Sequence, residues 1–343
     1  MRGVVIHAPR VLRVEEVEAA PLGPRDVRVR IEAGGICGSD LHYYHHGGFG
    51  TVRLRQPMAL GHEIAGTVEE VGGEVSRVRL GTRVAVNPSR PCDRCRYCRA
   101  GQRNHCLDMR FMGSAMRFPH VQGGFRQGVA VDEGQAVPVA PTLTMAEAAM
   151  AEPLAVCLHA ARQAGPLSGA RVLVTGCGPI GTLAVVAARH GGAAEIVATD
   201  VSGYPLSLAR QVGASRAIDI AEEPEGLAPY AAEKGHFDVL FEASGNEAAL
   251  RGALDAVRPG GVVVQLGLGG DMRLPVNVIV TKELQLRGTF RFDEEFRLAV
   301  GLMGEGAVDV RPLLTATLPF ERAPEAFELA SDRSRAMKVQ LAF

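Results

Sequence analysis

The ten residues Val172–Gly181, VLVTGCGPIG, run from an apolar strand through Gly176, Gly178 and Gly181 into an apolar helix. Glycines at these three positions let the backbone approach a bound pyrophosphate, whose charge is stabilised by the helix N-terminus. Glycine fills 41 of 343 positions, so the triplet alone says little. Its context says more: the next apolar run ends in VATD and places Asp200 where a carboxylate receives adenosine ribose hydroxyls. That carboxylate also repels a ribose phosphate, so NAD is expected over NADP. The expected cofactor contacts are Gly176, Gly178, Pro179, Ile180, Gly181 and Asp200. The alternative is a tight turn in an α/β domain that binds nothing, with Asp200 as a loop cap.

The surrounding pattern supports the first reading. RVLVT, EIVATD, FDVLFEAS and GVVVQLG are apolar runs suited to parallel strands covered on both faces. GPIGTLAVVAARHG, YPLSLARQVG and NEAALRGALDAVRPG read as the helices between them, two of them stopping at glycine. A doubly wound parallel sheet of the Rossmann type is therefore expected over residues 152–286. Before it, within residues 1–151, VVIHA, VRVRIEA, AGTVEEVG and TRVAVNP are short alternating strands broken by glycine, as in an irregular, mostly β domain. Helical spacing begins near Thr142. Over residues 287–343, LRGTFRF, a helix-like EEFRLAVGLMGEG and a strand AMKVQLAF return to the texture of the first part. The α/β fold is thus expected as a Rossmann sheet inserted in a discontinuous catalytic domain.

The formal net charge of −1 gives no reason to expect a nucleic-acid or acidic-lipid partner. No apolar run approaches the ~20 residues of a membrane span. The N-terminus lacks the apolar core of a signal peptide, and a cytoplasmic location is expected. Of seven cysteines, four fall at Cys92, Cys95, Cys98 and Cys106, in the pattern C-x2-C-x2-C-x7-C. In a reducing compartment such crowding points to metal thiolates. Four thiolates in the loop 92–106 match a closed, structural zinc site. Iron–sulfur ligation is the rival, and the fourth spacing fits it less well.

The stretch GGICGSDLHYYHHGG, residues 34–48, adds Cys37; His62 and Glu63 lie in GHEIAGTVEEVGGEV, and Glu152 in AEPLAV. Singly, such residues belong more often to cores or surfaces than to metals. Jointly they resemble the zinc-dependent medium-chain dehydrogenases. Gly61, His62, Glu63, Gly66, Gly72 and Val75 stand at the intervals of that family's zinc signature, and CGSD, the four-cysteine loop, AEPLAV and GCGPIG follow in its order. Glu152 replaces a cysteine of the alcohol dehydrogenases and is similar to the polyol dehydrogenase branch.

The resemblance implies a GroES-like catalytic domain made by both ends of the chain and two zinc ions per chain, one catalytic and one structural. Cys37, His62 and Glu63 are then ligands of the catalytic zinc, with Glu152 binding it directly or through water; which glutamate touches the ion is open. The implied reaction moves a hydride between a secondary alcohol and the nicotinamide. Ser39 and His42 are implied as its proton relay, with Glu152 beside them and Asp40 left as a helix cap. Tyr43 is implied in the substrate wall. The words around Arg110, Arg117 and Arg291 point to a sugar acid or polyol substrate, with Arg291 the first candidate to meet a carboxylate and Arg110 and Arg117 behind it. A homo-oligomer, tetramer or dimer, is implied as well. A rival of another class is a non-catalytic NAD-binding protein with one structural zinc.

Overall fold

The computed structural model describes residues 1–343. Its two large sheets differ as the hydrophobic patterns require. In the second half six strands, all parallel, lie in the spatial order Arg216–Asp219, Glu195–Asp200, Arg171–Thr175, Phe237–Glu242, Val257–Gln265 and Gln285–Gly288. This order reverses direction between Arg171–Thr175 and Phe237–Glu242. A crevice opens there at the carboxyl ends of the strands, which is where open α/β sheets bind their ligands.

NEAALRGALDAVRPG is helical only in part. The helix Glu247–Ala253 passes through a 3-10 turn at Leu254–Ala256, and Val257 already begins a strand opposite Phe237. Pro259 followed by Gly260 and Gly261 cannot extend a helix, and the ladder captures the segment instead.

The other sheet is mostly antiparallel and centres on the strand Asp26–Gly35. One flank of that strand pairs with Glu63–Val71. The opposite flank is shared: Gly128–Asp132 covers Asp26–Arg30, and Lys338–Ala342 takes over at Ala33–Gly35. The chain therefore leaves this domain, builds the parallel sheet, and returns to complete it. A continuous apolar core runs under both sheets, joining Ala33, Ala65 and Ala85 to Leu154, Val172, Phe241 and Phe296. No helix is long and apolar enough to cross a membrane.

Register places the chemistry. Gly35 faces Glu63 on one side and Gln340 on the other, two residues before Cys37. A Cβ at Gly35 would lie 2.1 Å from Glu63 Oε2, so glycine here makes room for that carboxylate.

Candidate active site and metal centres

Cys37 closes the turn from the central strand into the helix Gly38–His46, and His62 and Glu63 open the neighbouring strand. Their ligand atoms all lie within 4.8 Å of one another. Glu152, in the first turn of the helix Ala151–Ala164, stands outside that tight group yet is buried and feels the charges of His62, Glu63 and Cys37. Burial, reinforced by Glu63, pushes the Cys37 thiol up to about 12. Burial, with Glu63 and Cys37 adding to it and His62 opposing, pushes Glu152 up to about 8. One thiol and two carboxylates gathered out of water call for a cation, and a divalent ion inverts this local logic. The residues fit zinc.

Two further side chains complete this centre. Lys338 is 2% exposed; its Nζ donates to both Glu63 oxygens at 2.8 Å and to Ile36 O at 3.2 Å. Burial lowers the affinity of Lys338 for its proton, but Glu63 and Cys37 outweigh that and raise it. Asp40, fully buried, accepts from Cys37 N at 3.0 Å and Gly61 N at 3.2 Å, and its Oδ1 lies 3.8 Å from His62 Nδ1. That Nδ1 is buried without a hydrogen-bond partner. A carboxylate behind a ligating imidazole fixes the ring's orientation and basicity. Asp40 is thus a cap that also stands behind the histidine, and the expectation of a cap alone is too narrow. An exposed cap would have had no reason to be buried.

Cys92, Cys95, Cys98 and Cys106 bring their sulfurs within 4.8 Å of one another, and no disulfide forms. Tetrahedral zinc with thiolates at about 2.3 Å needs sulfurs roughly 3.8 Å apart. Backbone donors already point at the sulfurs: Cys92 N and Asp108 N reach Cys106 Sγ at 3.2 and 3.3 Å. Backbone N–H groups of Cys98 and Leu107 hold Cys95 down to about 6. All four corners belong to the protein, so this centre is structural.

At the crevice, Gly176 takes a φ of +82°, and a Cβ on Gly181 would fall 1.7 Å from Gly176 O. Gly178 caps the helix Pro179–His190, with Pro179 in its first turn and Ile180 following. Asp200, at the end of the adjacent strand, accepts from Cys177 N at 2.6 Å and from Val201 N at 2.7 Å. The carboxylate therefore braces the glycine turn from the carboxyl end of its strand.

Phe111, whose ring centroid is 5.5 Å from that of His62, lines a cleft of about 260 Å3. Phe111, Ser114, Met116, Arg117 and Arg291 are among its lining residues. The Arg291 guanidinium sits 4.0 Å over the Phe111 ring and 4.8 Å from the Phe290 ring, with Nη2 3.0 Å from Met116 Sδ. No carboxylate is in ion-pair contact with it, and burial lowers it to about 10, with Glu152 and Tyr43 opposing from a distance. Arg117, by contrast, is neutralised by Asp108.

The family model of the alcohol dehydrogenase GroES-like domain matches residues 23–141, and that of the zinc-binding dehydrogenases matches residues 179–305. L-idonate 5-dehydrogenase (NAD(P)(+)) of Escherichia coli strain K12 is 46% identical over 316 residues, covering 92% of this chain and 91% of that protein. The chain belongs to the zinc-binding dehydrogenases. The crystal structure of L-idonate 5-dehydrogenase from Escherichia coli matches this dehydrogenase with a TM-score of 0.96 at 43% identity, over 100% of this chain and 98% of that one. Sorbitol dehydrogenase of Bacillus subtilis is 34% identical over 334 residues, 96% of this chain and 93% of the relative. This dehydrogenase is a zinc-dependent, NAD(P)-linked oxidoreductase.

Of the remaining candidates in this dehydrogenase, Ser39 is half-buried and His42, on the next turn of the same helix, is exposed. Tyr43 is 1% exposed, its hydroxyl accepts from Ala115 N at 2.9 Å, and it does not itself line the cleft. Arg110 is exposed on a two-residue strand beside Arg90 and does not line the cleft. Sequence reasoning missed Lys338 altogether. The signal was there: it is one of three lysines among 37 basic residues, set in the apolar run AMKVQLAF.

Proposed function

We propose that this dehydrogenase interconverts L-idonate and 5-keto-D-gluconate, with NAD preferred. The observation that carries this reading is Arg291: a guanidinium lining the cleft, stacked on the Phe111 ring that abuts His62, with no carboxylate in ion-pair contact and Glu152 attracting it only from beyond that distance. A sugar acid brings the missing carboxylate, and a paired guanidinium–carboxylate contact is among the stronger hydrogen-bonded pairs. A neutral polyol leaves the guanidinium unmatched. The E. coli relative named for L-idonate supports the same choice.

Cys37 and His62, with Glu63 or Glu152 as the carboxylate, hold the catalytic zinc, and Cys92, Cys95, Cys98 and Cys106 hold the structural one. Zinc supplies Lewis acidity that makes a secondary hydroxyl a far stronger acid, as it lowers bound water to a pKa of ~7, and the nicotinamide supplies the hydride acceptor. The protein does the rest. Asp40 places a carboxylate 3.8 Å behind His62, and Lys338 holds Glu63 in place. Ser39 takes the proton from the substrate hydroxyl and His42, one turn on and exposed, passes it to solvent. Gly176, Gly178, Pro179, Ile180 and Gly181 carry the pyrophosphate, and Asp200 receives the adenosine ribose. Residues 1–151 and 287–343 form the catalytic domain and 152–286 the cofactor domain.

A second copy of the chain is the partner in this reading. The strand Gln285–Gly288 leaves one edge of the parallel sheet open, with Leu286 46%, Val276 60% and Val280 66% exposed nearby. An apolar open edge of that kind is suited to pairing.

The deciding experiment is a substrate panel of L-idonate, 5-keto-D-gluconate, sorbitol and xylitol on the native and Arg291→Ala enzymes. The expected result is preference for the acids, with Arg291→Ala lowering kcat/KM for L-idonate by about 100-fold, the order expected for a lost charged hydrogen-bond pair of ~3 kcal/mol. Preference of the native enzyme for a neutral polyol overturns the assignment in favour of a polyol dehydrogenase.

A further inference from the structure

Arg291 is not free to choose its conformation. Its φ of +54° lies in the left-handed region, which costs an L-residue of this kind on the order of 1 kcal/mol. Such a residue persists only where its surroundings over-determine it. The main chain does not: none of Phe290, Arg291 and Phe292 donates a main-chain hydrogen bond to another main-chain group, and the segment belongs to neither the strand ending at Gly288 nor the helix beginning at Glu295.

The constraint comes instead from three consecutive residues of the four-cysteine lobe. Asn104 Nδ2 donates to Phe290 O at 3.1 Å, on the N-terminal side of Arg291. On the C-terminal side Arg103 N donates to Asp293 Oδ2 at 3.1 Å, with the Arg103 guanidinium 3.7 Å from the same carboxylate. The His105 ring stacks on Phe290, centroids 6.3 Å apart and planes 18° apart. Asn104 is 7% exposed, so its amide is committed to this contact. These three residues form one short 3-10 turn, Arg103–His105, lying directly before the ligand Cys106. From its other end the segment is anchored through Asp293 N, which donates to Glu295 Oε2 at 2.9 Å, while Glu295 is tied to His159 at 3.0 Å.

We infer that Arg103, Asn104 and His105 are positioning residues that hold Arg291 in its left-handed conformation over Phe111, so that the structural zinc lobe sets the enzyme's preference for acidic over neutral substrates. This inference rests on the reading of Arg291 as the carboxylate receptor. A lobe that only stabilised its own loop would need no hydrogen bonds to both flanks of a strained residue in the substrate cleft. A guanidinium displaced by an ångström loses the geometry of a bidentate contact, while the metal and the crevice stay where they are.

The test uses the zinc-loaded, full-length enzyme. Asn104→Ala removes the clamp on one side of Arg291, and Asp293→Ala removes it on the other without touching the lobe. Asp293→Asn keeps an acceptor for Arg103 N. The expected result is a roughly tenfold fall in the ratio of kcat/KM for L-idonate over sorbitol in both alanine variants, carried by KM and not by kcat. The dissociation constant of 5-keto-D-gluconate from the NAD complex, measured by calorimetry, should rise by a similar factor. Metal analysis should still find two zinc ions per chain, and Asp293→Asn should restore most of the affinity. Equal losses for acid and neutral substrates, or no change in the calorimetric constant, overturn the inference. If Arg291→Ala lowers the acid preference and the clamp variants do not, this inference fails and the substrate assignment stands. If Arg291→Ala leaves the preference intact, this inference and the reading of Arg291 as the carboxylate receptor both fail.

Discussion

Lys338 Nζ lies 2.8 Å from each carboxylate oxygen of Glu63, the two side chains being 2% and 1% exposed. An ion pair so deeply buried is weak support for stability as a whole, but breaking one partner leaves an uncompensated charge. Lys338→Met is therefore expected to destabilise the protein by about 3–5 kcal/mol, and adding Glu63→Gln should recover much of that loss. Urea unfolding of the single and double variants at equal zinc content checks this. Simple addition of the two single losses would mean the pair is not coupled.

Zinc entry should displace protons. Without the ion, burial sets Cys37 at about 12 and Glu152 at about 8, so both carry a proton at pH 7. Binding a cation ionises them, and about two protons per zinc are expected to leave as the catalytic site fills. Reloading enzyme that keeps its structural zinc and lacks only the catalytic one, in weak buffer with an indicator dye, measures the number. Glu152→Gln should reduce it by about one, and an unchanged count would place the second proton elsewhere.

The proton relay has its own pH signature. Partial burial lowers the pKa of His42, and the charges of His46 and Arg333 lower it further. A relay base accepts only when neutral, and a lowered pKa keeps it neutral to below the ordinary pH 6.5. The rate of alcohol oxidation should therefore hold through neutral pH and fall on the acid side of that value. His42→Ala should flatten this limb and cost about tenfold, less than the ~100-fold or more usual for a group that exchanges the proton with the reacting atom, because the histidine opens to solvent. Added imidazole should return part of the rate. A profile unaltered by the substitution would remove His42 from the relay.

Cofactor choice should follow Asp200. Its carboxylate braces the glycine turn through Cys177 N and presents negative charge at the end of its strand. Asp200→Ser should weaken NAD and strengthen NADP binding, shifting the ratio of their dissociation constants by about tenfold or more, equivalent to about 1.4 kcal/mol. Fluorescence titration with NADH and NADPH reads this directly. Parallel losses for both cofactors would assign Asp200 to the turn alone.

The glycine triplet with its spaced acid, the cysteine loop and the GHE word were legible because each is a local pattern tied to one backbone geometry. The returning strand was legible too, since AMKVQLAF alternates like the first part of the chain. What escaped was decided by burial. Asp40 reads as a cap from sequence, and it is one; only the fold shows that it also stands 3.8 Å behind His62. Lys338 acquires meaning only when its strand pairs beside Gly35, opposite Glu63. Among Arg110, Arg117 and Arg291 the resemblance ranked Arg291 first, but the reasons, pairing of Arg117 with Asp108 and stacking of Arg291 on Phe111, are tertiary facts.

The strand Lys338–Ala342 has a kinetic consequence. The Lys338–Glu63 contact spans 275 residues, with the whole parallel sheet built in between. Contacts of such range form late, after the loop they close has condensed. Closure of Lys338 on Glu63 should thus lag behind assembly of the cysteine lobe, whose four sulfurs come from one short loop, and the interval between the two during refolding becomes a clock for when the two halves of the molecule meet.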